Sequence, residues 1–142
     1  ALEQVVAIKD ATGDLYGAAK GAARTGLAYY SGDDPLLLAY LAHGAVGIVS
    51  MAAHVIGDEL RAVIDAFDAG DHALALERFT DVTDVIDLIC GSGNGALRSK
   101  TALALLGHVP HPTMRLPNVA ADAQETELVR SALVAAGLLE NS

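Results

Sequence analysis

The sequence predicts an α/β fold in which three parallel strands alternate with helices and a helical region follows. Mostly apolar runs occur at residues 5–8, 27–31 and 46–51, and a segment with helical character follows each run. A run that is apolar throughout is typical of a strand covered on both faces, as in a parallel sheet. The short connections favour either a doubly wound sheet or part of a (β/α)₈ barrel.

The helices of this first region begin at residues that favour helix starts. Thr12 and Asp14 can cap a helix over residues 15–24. Pro35 is well placed as the first residue of the next helix, because its missing N–H needs no partner there. Apolar residues at helical spacing predict a third helix over residues 57–69. The order is therefore β-α-β-α-β-α.

The pattern changes near Gly70, where we place a boundary between residues 1–70, with three strand–helix units, and residues 71–142. No strand is predicted in the second region. Glycines and a proline-containing stretch separate its apolar segments, which have helical spacing. We expect a helical appendage of three helices, over residues 71–89, 96–106 and 122–136.

Three strands cannot close a barrel, and an open three-stranded sheet leaves its edges unpaired. The chain also starts at Ala1 without a methionine, and Val5 already lies in an expected core strand. We therefore expect a carboxyl-terminal piece of a longer protein, with roughly five further strands before Ala1 in a complete barrel.

Composition and charge exclude several partners. Hydrophobic residues make up 52% of the 142 residues and the net charge is −9, with no basic run. Nucleic acid and an anionic membrane surface are therefore unexpected partners. No apolar run approaches the roughly 20 residues of a membrane span. The single cysteine, Cys90, fits a reducing cytoplasm, and the histidines lack metal-ligand spacing, so we expect neither a metal nor another cofactor.

Lys9 ends the first apolar run, at the edge where parallel α/β folds place their chemistry. It is either a catalytic amine or a solvated strand end. A catalytic amine must lose its proton, which burial in a pocket would favour. Strand alternation would then put Ala7 on the same face as Lys9 and turn Asp10 away from it.

The ends of the next two strands hold further candidates. In the turn after the second strand, Gly32 would let a ligand approach the backbone, and Asp33 or Asp34 is expected to cap the following helix. Ser50, at the end of the third strand, is either a site residue or a hydrogen-bonded hydroxyl. Residues 91–95 lack the ending of a phosphate-binding loop and are expected to connect helices.

These motifs together resemble the dihydrodipicolinate synthase family of pyruvate-dependent class I aldolases. A-I-K-D-A-T-G-D at residues 7–14 resembles the Schiff-base lysine motif of the family. Y-Y-S-G-D-D at residues 29–34 and H-G-A-V-G-I-V-S-M-A-A-H at residues 43–54 resemble the next two strands. The resemblance covers essentially the whole chain and corresponds to the carboxyl-terminal half of the family sequence.

The resemblance implies a (β/α)₈ TIM barrel whose last three βα units are present here. Lys9 would form the Schiff base with pyruvate, whose enamine then attacks L-aspartate-4-semialdehyde. Gly32 matches a glycine near the bound substrate. Val49 falls where the family usually has an isoleucine whose backbone contacts the lysine region. The expected product is 4-hydroxy-tetrahydrodipicolinate, on the diaminopimelate route to lysine, and the expected full-length form is a homotetramer.

Two alternatives stay open. Sugar-acid aldolases and N-acetylneuraminate lyase share the Schiff-base lysine and differ in residues that bind the second substrate. A non-catalytic fragment is the other alternative. The family's paired threonines for the carboxylate of pyruvate, its catalytic tyrosines and its substrate arginine all precede the Schiff-base lysine. We therefore expect the 142-residue chain alone to be inactive.

Overall fold

A computed structural model describes residues 3–140, and it shows an α/β chain with more helix than strand. A short 3₁₀ helix, Asp34–Leu36, precedes the second α-helix. The regular elements of the described residues are β1 Ala7–Asp10, α1 Leu15–Thr25, β2 Ala28–Ser31, α2 Leu37–Ala42, α3 Ala53–Asp68, α4 His72–Asp81, α5 Thr83–Cys90, α6 Gly95–Leu105 and α7 Ala123–Ala135.

The two strands pair in parallel, as the uninterrupted apolar runs predict. In the register of this pairing, Lys9 lies opposite Tyr30 and Asp10 lies opposite Ser31. Because the chain crosses over from β1 to β2 through α1, the carboxyl ends of both strands lie at the same edge of the sheet.

The prediction of an extended third strand over residues 46–51 is wrong. Only one parallel bridge is found within it, between Ser31 and Ile48. Ser31 N donates to Gly47 O at 2.9 Å and Val49 N donates to Ser31 O at 2.8 Å, which completes the parallel pattern around Ile48. A single complete pair of bonds makes a bridge, and a strand needs the pattern to repeat.

The first strand is shifted from its predicted position. Pairing with β2 begins at Ala7, and Val5 and Val6 are exposed over 45% and 73% of their surface. The prediction that Val5 lies in a buried strand is therefore wrong for this chain. An apolar run shows which residues favour a strand, but the partner strand decides where the hydrogen bonds begin.

The first helix has the predicted amino-terminal cap. The Asp14 carboxylate accepts a hydrogen bond from Gly17 N at 2.9 Å and so satisfies a free donor of the first turn. At the other end Gly26 takes a left-handed conformation, with φ 68°, and its N–H donates to Ala22 O. This cap suits glycine because the left-handed region costs it little.

The single helix predicted over residues 71–89 is two helices, α4 and α5. Val82, between them, has φ −108° and ψ 1°, which takes it out of the helical conformation. The Thr83 hydroxyl donates to Thr80 O at 2.8 Å and closes the break. The apolar spacing continues in phase across Val82, so the sequence pattern does not reveal the interruption.

The last two helices begin where the sequence predicts. Asn94 accepts a hydrogen bond from Leu97 N at 3.2 Å and caps α6. Asp122 accepts one from Glu125 N at 2.8 Å and caps α7. Residues 91–95 therefore serve as the expected helix connector.

The chain forms two compact units. The first consists of Ala1–Ser50 and Leu60–Phe79, and the second of Met51–Glu59 and Thr80–Ser142. In the first unit the most deeply buried apolar side chains come from α2 and α3, namely Leu37, Tyr40, Leu60 and Val63. In the second they come mainly from α5, α6 and α7, and include Val85, Ile86, Ile89, Ala102, Val129 and Leu133. The boundary near Gly70 stays a prediction.

Candidate functional site

Lys9 lies within β1, one residue before its end, and its side chain is exposed. The side chain extends directly over Gly32. A β-carbon built on Gly32 would lie 2.7 Å from Lys9 Cε and 2.8 Å from Ala11 Cβ, well inside van der Waals contact. The Gly32 N–H also donates to Asp10 O at 2.7 Å, which fixes the two segments together. The structure thus brings two of the predicted site residues side by side.

Asp10 is held by the turn that follows it. Its Oδ1 accepts hydrogen bonds from Thr12 N at 2.8 Å and from Thr12 Oγ1 at 2.7 Å. Thr12 Oγ1 in turn accepts from Asp14 N at 3.2 Å, and Asp14 caps α1. The polar residues of the lysine motif therefore form a chain of hydrogen bonds that fixes the backbone just beyond Lys9.

Tyr40, on α2, was not predicted as a site residue. Only 1% of its surface is exposed. Burial, followed by the negative charge of Asp10, raises the pKa of the Tyr40 phenol above its ordinary value of 10.0. Hydrogen bonding from the Thr12 N–H is the main cause that lowers the pKa of the Asp10 carboxyl below its ordinary 3.8. The hydroxyls of Thr12 and Tyr40 lower this pKa less. A lone tyrosine among leucines and alanines in α2 is a sequence signal, but it does not show what the hydroxyl faces.

The turn after β2 differs from the capping prediction. Asp33 occupies the cap position of the 3₁₀ helix without a side-chain capping bond, and its backbone instead exchanges hydrogen bonds with the Ser31 hydroxyl. Asp34 is 3% exposed and accepts a hydrogen bond from Ser50 Oγ. Asp33 therefore occupies the predicted cap position without the predicted side-chain bond, and Asp34 is bound by a residue 16 positions further along.

Val49 and Ser50 bring the third segment to the same edge. Val49 N donates to Ser31 O at 2.8 Å, and the Val49 side chain is 48% exposed. Ser50 is a hydrogen-bonded hydroxyl, one of its two predicted alternatives. The edge therefore combines a primary amine, a glycine that leaves room beside it, and backbone from three adjacent segments. Within residues 3–140 no cluster of three or more histidine, cysteine or acidic side chains could hold a metal ion.

The two adjacent tyrosines of β2 lie on opposite faces, as strand alternation predicts. A β-carbon on Gly21 would meet the Tyr29 ring, so Tyr29 packs against α1. Tyr30 shares its face with Lys9 through the strand register, and a β-carbon on Gly47 would lie 3.3 Å from Tyr30 Cε1. Tyr30 is thus the tyrosine on the lysine side of the sheet.

Comparison with known proteins places this geometry in a family of enzymes. The family model of the dihydrodipicolinate synthetase family matches residues 1–136, and the chain belongs to this family. A 4-hydroxy-tetrahydrodipicolinate synthase of Bifidobacterium longum is 44% identical over 138 residues, which cover 97% of this chain and 46% of that protein.

Solved structures agree with the sequence relatives. The dihydrodipicolinate synthase of Cyanidioschyzon merolae, solved with lysine bound, is 36% identical with a TM-score of 0.83, covering 95% of this chain and 46% of that one. The enzyme of Acinetobacter baumannii, solved with pyruvate, is 27% identical with a TM-score of 0.84, covering 95% and 46%. This chain therefore spans about half the length of these proteins. Among its described residues, no helix is long and apolar enough to cross a membrane.

Proposed function

We propose that this chain is the carboxyl-terminal part of a (β/α)₈ barrel lyase, containing its last three βα units, in which Lys9 forms a Schiff base with pyruvate. The observation that carries the proposal is the placement of the Lys9 side chain over Gly32, at the carboxyl edge of parallel strands. The parent protein would condense pyruvate with L-aspartate-4-semialdehyde to 4-hydroxy-tetrahydrodipicolinate, in diaminopimelate and lysine biosynthesis. The names of the sequence relatives support this choice of reaction.

The chemistry follows from a primary amine at this position. Uncharged Lys9 Nζ attacks the ketone carbon of pyruvate, and protonation of the resulting carbinolamine followed by loss of water leaves an iminium. The iminium withdraws electrons from the neighbouring methyl carbon, which loses a proton to a base and becomes the nucleophilic end of an enamine. The enamine attacks the aldehyde carbon of the second substrate, and cyclisation then releases the product from Lys9.

Gly32 and Val49 would serve the lysine without reacting themselves. Gly32 leaves the volume through which the Lys9 side chain passes, and its N–H fixes the turn to Asp10 O. The hydrogen bond from Val49 N to Ser31 O holds the third segment beside the second. Both residues would therefore determine the shape of the protein surface next to the Lys9 amine.

The chain alone is expected to lack turnover. The resemblance places the groups that hold the carboxylate of pyruvate, and those that relay protons, before the Schiff-base lysine in the family sequence. The active form would be a longer cytoplasmic protein, assembled as a tetramer. Measurable turnover by the purified 142-residue chain would contradict this part of the proposal.

The decisive experiment is reductive trapping in the full-length parent. Borohydride is added in the presence of pyruvate, and peptide mass spectrometry locates the reduced adduct. We expect the adduct on Lys9, its loss in Lys9→Arg, and its retention in Lys20→Arg. Lys20 is a suitable control because its ammonium lies on α1, 5.7 Å from the centre of the Tyr16 ring. An adduct on another lysine, or none with pyruvate, would refute the assignment.

A further inference from the structure

A cavity of about 340 Å³ lies beside α6 in the second unit. Its apolar lining comes from Met51, Ala96, Leu103 and Val109. The Met51 side chain packs against the start of α6, since a β-carbon built on Gly95 would lie 2.8 Å from Met51 Cε. The cavity opens to solvent, because Met51 is 42% exposed and Ala96 is also exposed. Its volume falls within the range of roughly 300–1,000 Å³ that is typical of small-molecule sites.

Three polar residues, His54, Ser99 and Lys100, complete the lining, and none of the lining residues is acidic. His54 is exposed, whereas Lys100 is half-buried. Lys100 makes no ion pair with an acidic residue within residues 3–140, although the chain has 18 acidic residues. A charge that is removed from water and lacks a counterion is costly. The half-buried ammonium therefore favours an anion in the adjoining cavity.

The hydroxyl of Ser99 is the second group that lacks a partner. Ser99 is only 6% exposed, and its Oγ makes no hydrogen bond in the described part of the chain. A hydroxyl inside a helix often donates to the carbonyl four residues earlier, as Thr101 Oγ1 does to Leu97 O at 2.9 Å. An alanine in place of Ser99 would leave no such bond unmade, so stability alone does not explain the serine. Because no bond holds it, the hydroxyl can turn to a ligand without losing one.

We propose that this cavity binds a small monocarboxylate with an apolar body. The carboxylate would face the Lys100 ammonium and accept a hydrogen bond from the Ser99 hydroxyl. The apolar body would lie against Met51 and Leu103, where it displaces water from apolar walls. The cavity shares no residue with the candidate site around Lys9, and the proposal does not depend on a Schiff base.

The test uses 3-phenylpropanoate as the probe and the full-length parent as the protein, with affinity measured by ligand-detected NMR titration. We expect saturable binding, which Lys100→Met weakens by about tenfold or more and Lys100→Arg by less than about threefold. Ser99→Ala should weaken binding by about threefold to fivefold without lowering the melting temperature. Lys20→Met is the matched control and should leave the affinity unchanged, because the Lys20 ammonium lies 5.7 Å from the centre of the Tyr16 ring on α1.

A neutral probe separates recognition of charge from a change in the shape of the cavity. The amide 3-phenylpropanamide has the same apolar body, so Lys100→Met should change its affinity by less than about twofold. An equal loss for both probes would overturn the proposal, as would an unchanged affinity of 3-phenylpropanoate in Lys100→Met or the absence of saturable binding.

Pyruvate is a carboxylate too, so competition with pyruvate locates the probe. Saturating pyruvate and the Lys9→Arg substitution should each leave the affinity of 3-phenylpropanoate unchanged. Displacement by pyruvate would place the probe at the proposed Schiff-base site and overturn the proposal. Failure to trap pyruvate on Lys9 would instead refute the proposed function and leave these binding results as they stand.

Discussion

Gly32 supplies the space that the Lys9 side chain occupies. A β-carbon at Gly32 would lie 2.7 Å from Lys9 Cε, 2.8 Å from Ala11 Cβ and 3.0 Å from Asp10 O. The lysine tail can move aside, but the Ala11 methyl and the backbone oxygen belong to the fixed turn. These close contacts therefore leave no room for a β-carbon at position 32, so the position requires glycine.

Gly32→Ala tests this requirement. We expect the free energy of unfolding to fall by about 1–3 kcal/mol, the usual cost of overpacking, and imine formation with pyruvate in the full-length parent to be lost or strongly slowed. Gly57→Ala is the control, because Gly57 lies in α3 with no atom within 4 Å of a built β-carbon. The control should be neutral or slightly more stable. Equal behaviour of the two variants in denaturant titration would contradict the contact argument.

Ser50→Ala is expected to destabilise the protein by about 1–3 kcal/mol, because it removes a donor from the buried Asp34 carboxylate. Ser50→Thr retains the hydroxyl and should recover part of the loss. Ser92→Ala, in the exposed connector before α6, should stay within about 0.5 kcal/mol of wild type. Urea unfolding monitored by circular dichroism measures all three. A Ser50→Ala variant as stable as Ser92→Ala would show that Asp34 does not depend on Ser50.

The sequence predicts the parallel arrangement of the strands but not their exact pairing. Parallel pairing and the placement of Lys9 near a shared edge follow from apolar runs and short crossovers. The exact pairing does not, because the start of β1 at Ala7 is set by its partner Ala28, and the segment around Ile48 makes one bridge only. Register depends on contacts between residues distant in sequence.

The side-chain contacts of the site show the same limit. Asp14 capping α1 is a local interaction over three residues and was predicted correctly. Ser50, which binds Asp34, is 16 residues away, so the residue type of Asp34 does not reveal this contact. Tyr40 is 1% exposed because tertiary packing buries α2, and no local pattern encodes that burial.

Arg98 links three helices of the second unit. We expect it to contribute more to the free energy of unfolding than an exposed ion pair does. Its Nε donates to Glu125 Oε1 at 2.6 Å and its guanidinium donates to Leu88 O at 2.9 Å, with only 14% of its side chain exposed. Arg98→Met should cost about 1.5–3 kcal/mol of unfolding free energy, since it leaves charged-group hydrogen bonds unmade. Arg61→Met breaks an ion pair with Asp65 that is 68% and 65% exposed, and should cost less than about 0.5 kcal/mol.

Salt gives a second measurement on the same variants. The small effect of Arg61→Met should vanish in about 1 M salt, where exposed charges are screened within roughly 3 Å. The effect of Arg98→Met should largely persist, because the Arg98 side chain is mostly buried and one of its partners is an uncharged carbonyl. A loss of both effects in salt would mean that Arg98 acts as an ordinary surface charge.

The hydrogen bonds to Asp10 predict a specific acid dependence of stability. Because the pKa of Asp10 in the folded state is below its ordinary 3.8, the ionised carboxylate stabilises the fold above that pH, and this contribution is lost as pH falls through the folded-state pKa. Thr12→Val removes the hydroxyl donor, so its stability deficit should be constant above about pH 4 and shrink at lower pH. The pKa of Asp10, measured by NMR, should rise towards its ordinary value in this variant.

Thr25→Val provides the matched comparison for this acid dependence. The Thr25 hydroxyl donates to Gly21 O at 2.8 Å, an uncharged acceptor, so the deficit of this variant should not change with pH. Denaturant midpoints measured from neutral pH to below pH 4 distinguish the two cases. A Thr12→Val deficit that stays constant through the acid range would show that the Thr12 hydroxyl does not stabilise the ionised form of Asp10.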